Sequence, residues 1–174
     1  SIYARFVEAN VYEERESLCV TDSFGYTGVG AICWRPDNDR WACNVAALTK
    51  PGGTFYITDG HPLLWAIDDE LSDGSLRVAY PYFETTRPMS FDFDETYGGE
   101  GKLENSVTHE WNHGMGEIVT ALIRHGFRID LLDEHRELDW MALPHMVEEG
   151  DVWVLPDDQR DLVPLMYSLR ATRL

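Results

Sequence analysis

Residues 38–58 read NDRWACNVAALTKPGGTFYIT and decide the class of fold. Apolar side chains recur at helical spacing after the capping residue Asp37, which predicts a helix over residues 38–48. Turn residues at 50–53 end this helix, and the β-branched and aromatic run at 54–58 predicts a buried strand. A helix that leads through a short turn into a buried strand indicates an α/β sheet with crossover connections.

Strand patterns also occur on both sides of this unit. Residues 4–10 form an apolar, strand-like run, and residues 24–31 predict a strand that leads into a glycine-rich loop. Toward the other end, apolar and polar residues alternate over 127–133, and residues 165–172 predict the last strand. We therefore expect one α/β domain over residues 1–174.

The stretch from 61 to 112 interrupts this rhythm with three prolines and a high density of aromatic residues. A structureless loop of that length is improbable in a compact domain, so we expect an insertion that folds as short strands or helices over the sheet edge. Residues 134–163 are acidic and too irregular to support a prediction of individual elements.

Composition excludes several classes of protein. The 174 residues are 44% hydrophobic, which is enough for a packed core and argues against disorder. The formal net charge of −17 repels phosphate backbones and anionic lipids, so nucleic acid and membranes are poor candidate partners. No apolar run approaches the roughly 18 residues that a membrane span needs.

Cys19, Cys33 and Cys43 are an odd number of cysteines without a regular disulfide framework. No apolar signal segment precedes them, which favours reduced thiols in the cytoplasm. We expect them to fill the core, because free cysteine is usually a small buried hydrophobe.

The segment from His109 to His113 fits the His-Glu-x-x-His signature, in which a helix of a zinc peptidase carries two imidazoles on one face. Glu134 is a conceivable distant third ligand. Gly114 and Gly116 follow at once and weaken a helix there. The alternative is a strand-to-helix junction in which Trp111 packs and the two histidines are ordinary polar residues.

Nine short motifs occur in one order along the chain. They are FVEANV (6–11), YTGVGA (26–31), CWRPD (33–37), KPGG (50–53), HP (61–62), YPYF (80–83), EWNH (110–113), GEIV (116–119) and SLRAT (168–172). In this order and spacing they resemble the later two thirds of bacterial class I S-adenosylmethionine-dependent methyltransferases.

The resemblance implies a Rossmann-like sheet with strand order 3-2-1-4-5-7-6, a last strand antiparallel to the others and helices on both faces. The strand-like run at residues 4–10 would be the third strand, and residues 24–31 the fourth. Residues 54–58, 127–133 and 164–172 would be the fifth, sixth and seventh strands. The first two strands have no counterpart, so we expect the chain to begin in mid-fold without the glycine-rich cofactor loop. The aromatic-rich insertion would follow the fifth strand.

The resemblance also implies S-adenosylmethionine as cofactor. Asn10 would accept a hydrogen bond from the adenine amino group, and Val11 would offer its backbone amide. Thr27 and Gly28 would lie at the carboxyl end of the fourth strand, where ligands of open α/β sheets bind. Asn10 could instead be a turn residue, and Val11 part of the core.

The insertion would be a lid over a small-molecule acceptor, lined by His61, Tyr82, Trp111 and His113. Packing or capping is the alternative role for each. No catalytic residue or metal is assigned, because methyl transfer depends mainly on alignment in a site closed to water. Two alternatives stay open, a zinc-dependent hydrolase that uses His109, Glu110 and His113, and a non-catalytic remnant that binds or oligomerises. An exposed sheet edge would favour a homodimer.

Overall fold

A computed structural model describes residues 21–92 and 105–174. The predictions of a strand near residues 4–10 and of cofactor contacts by Asn10 and Val11 lie outside the described residues. The described elements are β1 (Asp22–Thr27), α1 (Asn38–Leu48), β2 (Thr49–Gly60), a 3-10 helix (Leu64–Ala66), β3 (Met89–Asp92), β4 (Val107–Glu110), α2 (Met115–Arg124), β5 (Phe127–His135), β6 (Glu137–Leu138), β7 (Val147–Glu149), β8 (Val152–Val154) and β9 (Met166–Arg173).

The main sheet has the strand order β1-β2-β9-β5. β1 runs parallel to β2, and β9 runs antiparallel to both β2 and β5. These strands match the ones expected at residues 24–31, 54–58, 164–172 and 127–133. β1, β2, β9 and β5 thus take the places of the fourth, fifth, seventh and sixth strands of the expected sheet. This part of the expected strand order is confirmed, and so is the antiparallel seventh strand.

The turn predicted at residues 50–53 interrupts the pairing of β2 instead of preceding the strand. Asp22 of β1 pairs with Thr49 and Phe24 pairs with Thr54, so four residues of β2 bulge out between these pairs. Gly52 has a φ of 77°, a left-handed conformation that glycine adopts without steric cost. The predicted turn chemistry is present, and the strand begins earlier than expected.

α1 and α2 pack against the main sheet over one hydrophobic core. Asp37 caps α1 by accepting a hydrogen bond from the Arg40 amide at 2.8 Å. In α2, Ile118 and Leu122 are buried, whereas Ile123 is 55% exposed and does not belong to the buried face. The largest fully buried side chains of this core are Trp41, Phe55, Ile57, Ile118, Leu122, Phe127, Tyr167 and Leu169.

A second hydrophobic core lies under the insertion and residues 134–163, for which the sequence predicted no individual helices or strands. β6, β8 and β7 form a three-stranded antiparallel sheet, and β3 pairs with β4 inside the insertion. The buried members of this second core are Leu64, Ile67, Leu138, Leu143, Met146, Leu155, Leu165 and Met166. Within residues 21–92 and 105–174, neither helix has the length and apolar character needed to cross a bilayer.

Candidate functional site

The parallel strands β1 and β2 bring their carboxyl ends to the same edge of the sheet. Thr27 ends β1 and pairs with Ile57, and Gly28 follows it. Asp59 and Gly60 end β2. This carboxyl edge, formed by residues 27–28 and 59–60, is where ligands of open α/β sheets bind.

Asp59 connects the end of β2 by hydrogen bonds to the loop that follows β1, residues 28–36, which we call the β1 loop. Its Oδ1 accepts hydrogen bonds from the amides of Gly30 at 2.8 Å and Gly60 at 2.7 Å. Burial raises the pKa of Asp59, and the amides of Gly30, Gly60, Ile32 and Ala31 oppose that shift. One buried carboxylate therefore joins the two loops of the carboxyl edge.

The backbone of this loop is open to an approaching ligand at Gly30, whereas the Tyr26 ring lies over Gly28. Gly30 has a φ of 73°, and a Cβ added there would meet nothing within 4 Å. At Gly28 an added Cβ would first meet the ring of Tyr26, at 3.4 Å. The loop thus has room above its main chain.

The strap formed by residues 107–114 lies along the same loop. The Trp111 amide donates to the Cys33 carbonyl at 2.8 Å. His113 is 1% exposed, and its Nε2 lies 2.8 Å from the Arg35 carbonyl while its Nδ1 lies 2.8 Å from Oε2 of Glu84. The strap is consequently bonded to the β1 loop at two successive points.

Asn112 joins three parts of the insertion. Its Nδ2 donates to the carbonyls of Pro62 at 2.8 Å and Pro81 at 3.0 Å, and its Oδ1 accepts from the His113 amide at 3.0 Å. Asn112 was not among the predicted site residues. The only signal in the sequence was its place between Trp111 and His113, because its partners lie 50 and 31 residues away.

Residues 82–84 connect the insertion to the starts of both helices. The Tyr82 hydroxyl accepts from the Met115 amide at 3.1 Å. Glu84 accepts from the Asn38 amide at 3.0 Å, and its own amide donates to Glu117 Oε2 at 3.0 Å. Glu84 was also missed, since no local pattern marks a residue that caps one helix and bonds a histidine 29 residues away.

His61 lies at the end of β2, on the side that faces β5. It is 4% exposed, its Nδ1 accepts from the Leu63 amide at 3.0 Å, and its Nε2 lies 2.9 Å from Oε1 of Glu134. Its ring meets Tyr167 edge to face, with centroids 6.2 Å apart. Burial lowers the pKa of His61, and the carboxylate of Glu134 opposes that shift. The structure thus gathers Tyr82, Trp111 and His113 around the strap and places His61 against β5.

The arrangement of His109 and His113 does not favour a zinc site. β4 ends at Glu110 and α2 begins at Met115, so the two imidazoles do not share a helical face. His109 Nδ1 lies 2.9 Å from Ser90 Oγ, and both nitrogens of His113 face protein oxygens. In the described part of the chain, no group of three or more His, Cys, Asp or Glu side chains could hold a metal. Of the two alternatives, the helix that carries both imidazoles is not present over residues 109–113, and the strand-to-helix junction is confirmed.

Negative charge surrounds the start of the strap and the carboxyl edge. Burial, together with the carboxylates of Glu110 and Asp59, raises the pKa of Cys33 to about 12. Burial and the same Asp59 raise the pKa of Tyr167 well above its ordinary value. A cationic ligand is the kind that this field stabilises.

No protein-family model matches the sequence, and no curated protein matches it. Several solved structures are similar, among them the following two. One is assigned as an S-adenosylmethionine-dependent methyltransferase from Listeria monocytogenes, with a TM-score of 0.55, 13% identity and coverage of 88% of this chain. The other is an S-adenosylmethionine-dependent methyltransferase from Mesorhizobium loti, with a TM-score of 0.52, 18% identity and 88% coverage. This chain spans 62% of the length of each. It therefore has the fold of class I S-adenosylmethionine-dependent methyltransferases.

Proposed function

We propose that this chain is part of an S-adenosylmethionine-dependent methyltransferase that binds its cofactor at the carboxyl edge. The observation that carries the proposal is the parallel β1–β2 pair, whose shared edge leads into a loop with open space at Gly30. The two similar structures support it through the fold. The proposed cofactor contacts are Asn10, Val11, Thr27 and Gly28.

S-adenosylmethionine supplies a methyl group bonded to a positively charged sulfur. The carboxylates of Asp59 and Glu110, which both act on Cys33, favour a cation near the β1 loop. The glycine backbone of that loop allows close approach of a ligand. The chemistry of the described residues therefore fits this cofactor.

We further propose that residues 61–112 form the lid over a small-molecule acceptor. Trp111 is half-buried, and its indole Nε1 is a buried donor without a partner in the described structure, which suits a contact to the acceptor. Tyr82 and His113 fix the strap next to Trp111 by their hydrogen bonds. His61 would contribute from the end of β2. Their joint role is to align the acceptor and to exclude water.

The cellular setting and the assembly are proposals of the same kind. Among the described cysteines, Cys33 and Cys43 are free thiols, which suits the cytoplasm. The outer edge of β1 pairs with no strand in the described residues, and such an edge favours a homodimer. Light scattering that gives a strict monomer at high protein concentration would contradict the dimer.

Equilibrium dialysis of the 174-residue chain with radiolabelled S-adenosylmethionine tests the proposed function. We expect saturable binding that S-adenosylhomocysteine displaces and that ATP does not. Gly28→Leu, which adds a bulky side chain at the start of the β1 loop, should abolish binding. Gly116→Leu is the matched control, because an added Cβ at Gly116 in α2 meets nothing within 4 Å. Equal binding by both variants, or binding that ATP displaces equally well, contradicts the proposal.

A further inference from the structure

We propose that Asp59 is a positioning residue for the cofactor site, whose carboxylate sets the backbone of the β1 loop at residues 30–32. The inference rests on the proposed function, because that loop continues directly from Thr27 and Gly28. It adds a residue that does not touch the cofactor and acts through the main chain.

The geometry assigns Asp59 this role more directly than a role in packing. The side chain is 4% exposed, and a carboxylate offers only hydrogen-bond acceptors. A single oxygen, Oδ1, lies 2.8 Å from the Gly30 amide in the β1 loop and 2.7 Å from the amide of Gly60, the last residue of β2. The carboxylate therefore fixes the distance between the β1 loop and the segment that leads to His61.

The conformation of Gly30 links its hydrogen bond with Asp59 to the shape of the loop. Its φ of 73° is a turn conformation that points the amide toward Asp59, while the space where a Cβ would lie stays open. The amides of Ala31 and Ile32 also lower the pKa of Asp59, so they too face its carboxyl group. Without this acceptor the Gly30 amide loses its partner, and the loop would rearrange to satisfy it.

Two titratable groups interact electrostatically with Asp59, Cys33 in the β1 loop and Tyr167 on β9. Glu110 on β4 acts on the same Cys33, and His61, which follows β2, contacts Tyr167 and Glu134 of β5. The raised pKa values of Cys33 and Tyr167 and the lowered pKa of His61 keep these three groups neutral near neutral pH. These three groups therefore bring no charge to the loop amides, and the acceptor that contacts the Gly30 amide is Asp59.

Two substitutions separate positioning from general stability. Asp59→Leu removes both acceptors together with the buried charge, so the variant can fold without an unpaired carboxylate. Asp59→Asn keeps one oxygen for the amides of Gly30 and Gly60. Asp133→Asn is the matched control, since Asp133 is an exposed carboxylate on β5 whose backbone pairs with Ser168.

Amide hydrogen exchange of residues 30–32, and dialysis with S-adenosylmethionine, are measured on each full chain. We expect exchange at Gly30 to be roughly ten- to a hundredfold faster in Asp59→Leu, intermediate in Asp59→Asn and unchanged in Asp133→Asn. Cofactor affinity should fall in the same order.

Each outcome decides the inference. Unchanged exchange at Gly30 in Asp59→Leu overturns it, as does faster exchange spread evenly over β2 and β9. Faster exchange confined to residues 30–32 with undiminished cofactor binding overturns the link to the cofactor site. If the parent chain binds no S-adenosylmethionine, the proposed function fails, and the exchange pattern alone still decides whether Asp59 positions the loop.

Discussion

His113 and Glu84 form a buried contact in which Nδ1 of the imidazole lies 2.8 Å from Oε2 of the carboxylate. The other ring nitrogen of His113 faces the Arg35 carbonyl, also at 2.8 Å. Glu84 in turn caps the first amide of α1. One imidazole therefore connects the strap, the β1 loop and the N-terminus of α1, and its substitution tests how the strap is held in place.

His113→Phe should destabilise the fold by about 2 to 4 kcal/mol, because it leaves the Arg35 carbonyl and the Glu84 carboxylate without their partner. His109→Phe is the control within the same strap. Its imidazole is exposed and bonds only the Ser90 hydroxyl in the described structure, so a loss of about 0.5 kcal/mol is expected. Urea unfolding measures both, and equal losses would contradict the connecting role of His113.

Gly60→Ala tests the close packing at the end of β2. An added Cβ would lie 2.5 Å from Cζ2 of Trp65, whose ring stacks on Trp140 with centroids 6.2 Å apart. We expect a loss of about 1 to 3 kcal/mol and a changed tryptophan fluorescence spectrum. Gly116→Ala in α2 should instead raise stability by about 0.5 to 1 kcal/mol. An unchanged spectrum and stability in Gly60→Ala would show that the two rings are not packed in this way.

The two described cysteines should differ in reactivity. The raised pKa of Cys33, about 12, leaves almost no thiolate at mildly alkaline pH, whereas Cys43 is exposed. Iodoacetamide should label Cys43 at least about tenfold faster than Cys33 in the folded chain, and urea should remove the difference. Peptide mass spectrometry resolves the two sites. Similar rates in the folded chain would refute the buried, negatively charged setting of Cys33.

The raised pKa of Asp59 predicts the sign of a pH effect. The folded state holds this proton more tightly than the unfolded chain, so the stability that it contributes is present at acid pH and is lost as the pH rises above 3.8 and through the folded pKa. The free energy of unfolding of the parent chain, relative to Asp59→Asn, should therefore fall across that range. Urea melts at several pH values measure the difference. If the stability of the parent chain relative to Asp59→Asn instead rose with pH, the hydrogen-bonding amides would lower the pKa of Asp59 more than burial raises it, and this prediction would be wrong.

Much of the main sheet was predictable from local patterns. The helix 38–48 and the strands of the main sheet each follow from spacing or turn chemistry within a few residues. The order of the nine sequence motifs also predicted the order of the strands in the sheet, which hydrophobic periodicity alone cannot predict. Residues 134–163 were unpredictable for a physical reason, since β6, β7 and β8 are two or three residues long and too short to show a period.

The candidate site was only partly predictable. Residue type and order drew attention to Tyr82, Trp111 and His113, and the structure gathers them around one strap. Glu84, Asn112 and Asp59 were missed because their roles depend on partners 29 to 50 residues away. The His-Glu-x-x-His pattern could not by itself distinguish a helical zinc site from a strand-to-helix junction, and the structure has a strand that leads into the N-terminus of α2.

The most direct test of the central claim is a titration of the isotope-labelled chain with S-adenosylmethionine, followed by nuclear magnetic resonance of its backbone amides. If the nucleoside sits where β1 ends, the signals of Thr27, Gly28 and Gly30 should move first and reach a plateau, and S-adenosylhomocysteine should move the same signals. Shifts confined to other surfaces, or none at saturating ligand, would contradict the assignment of this edge as the cofactor site.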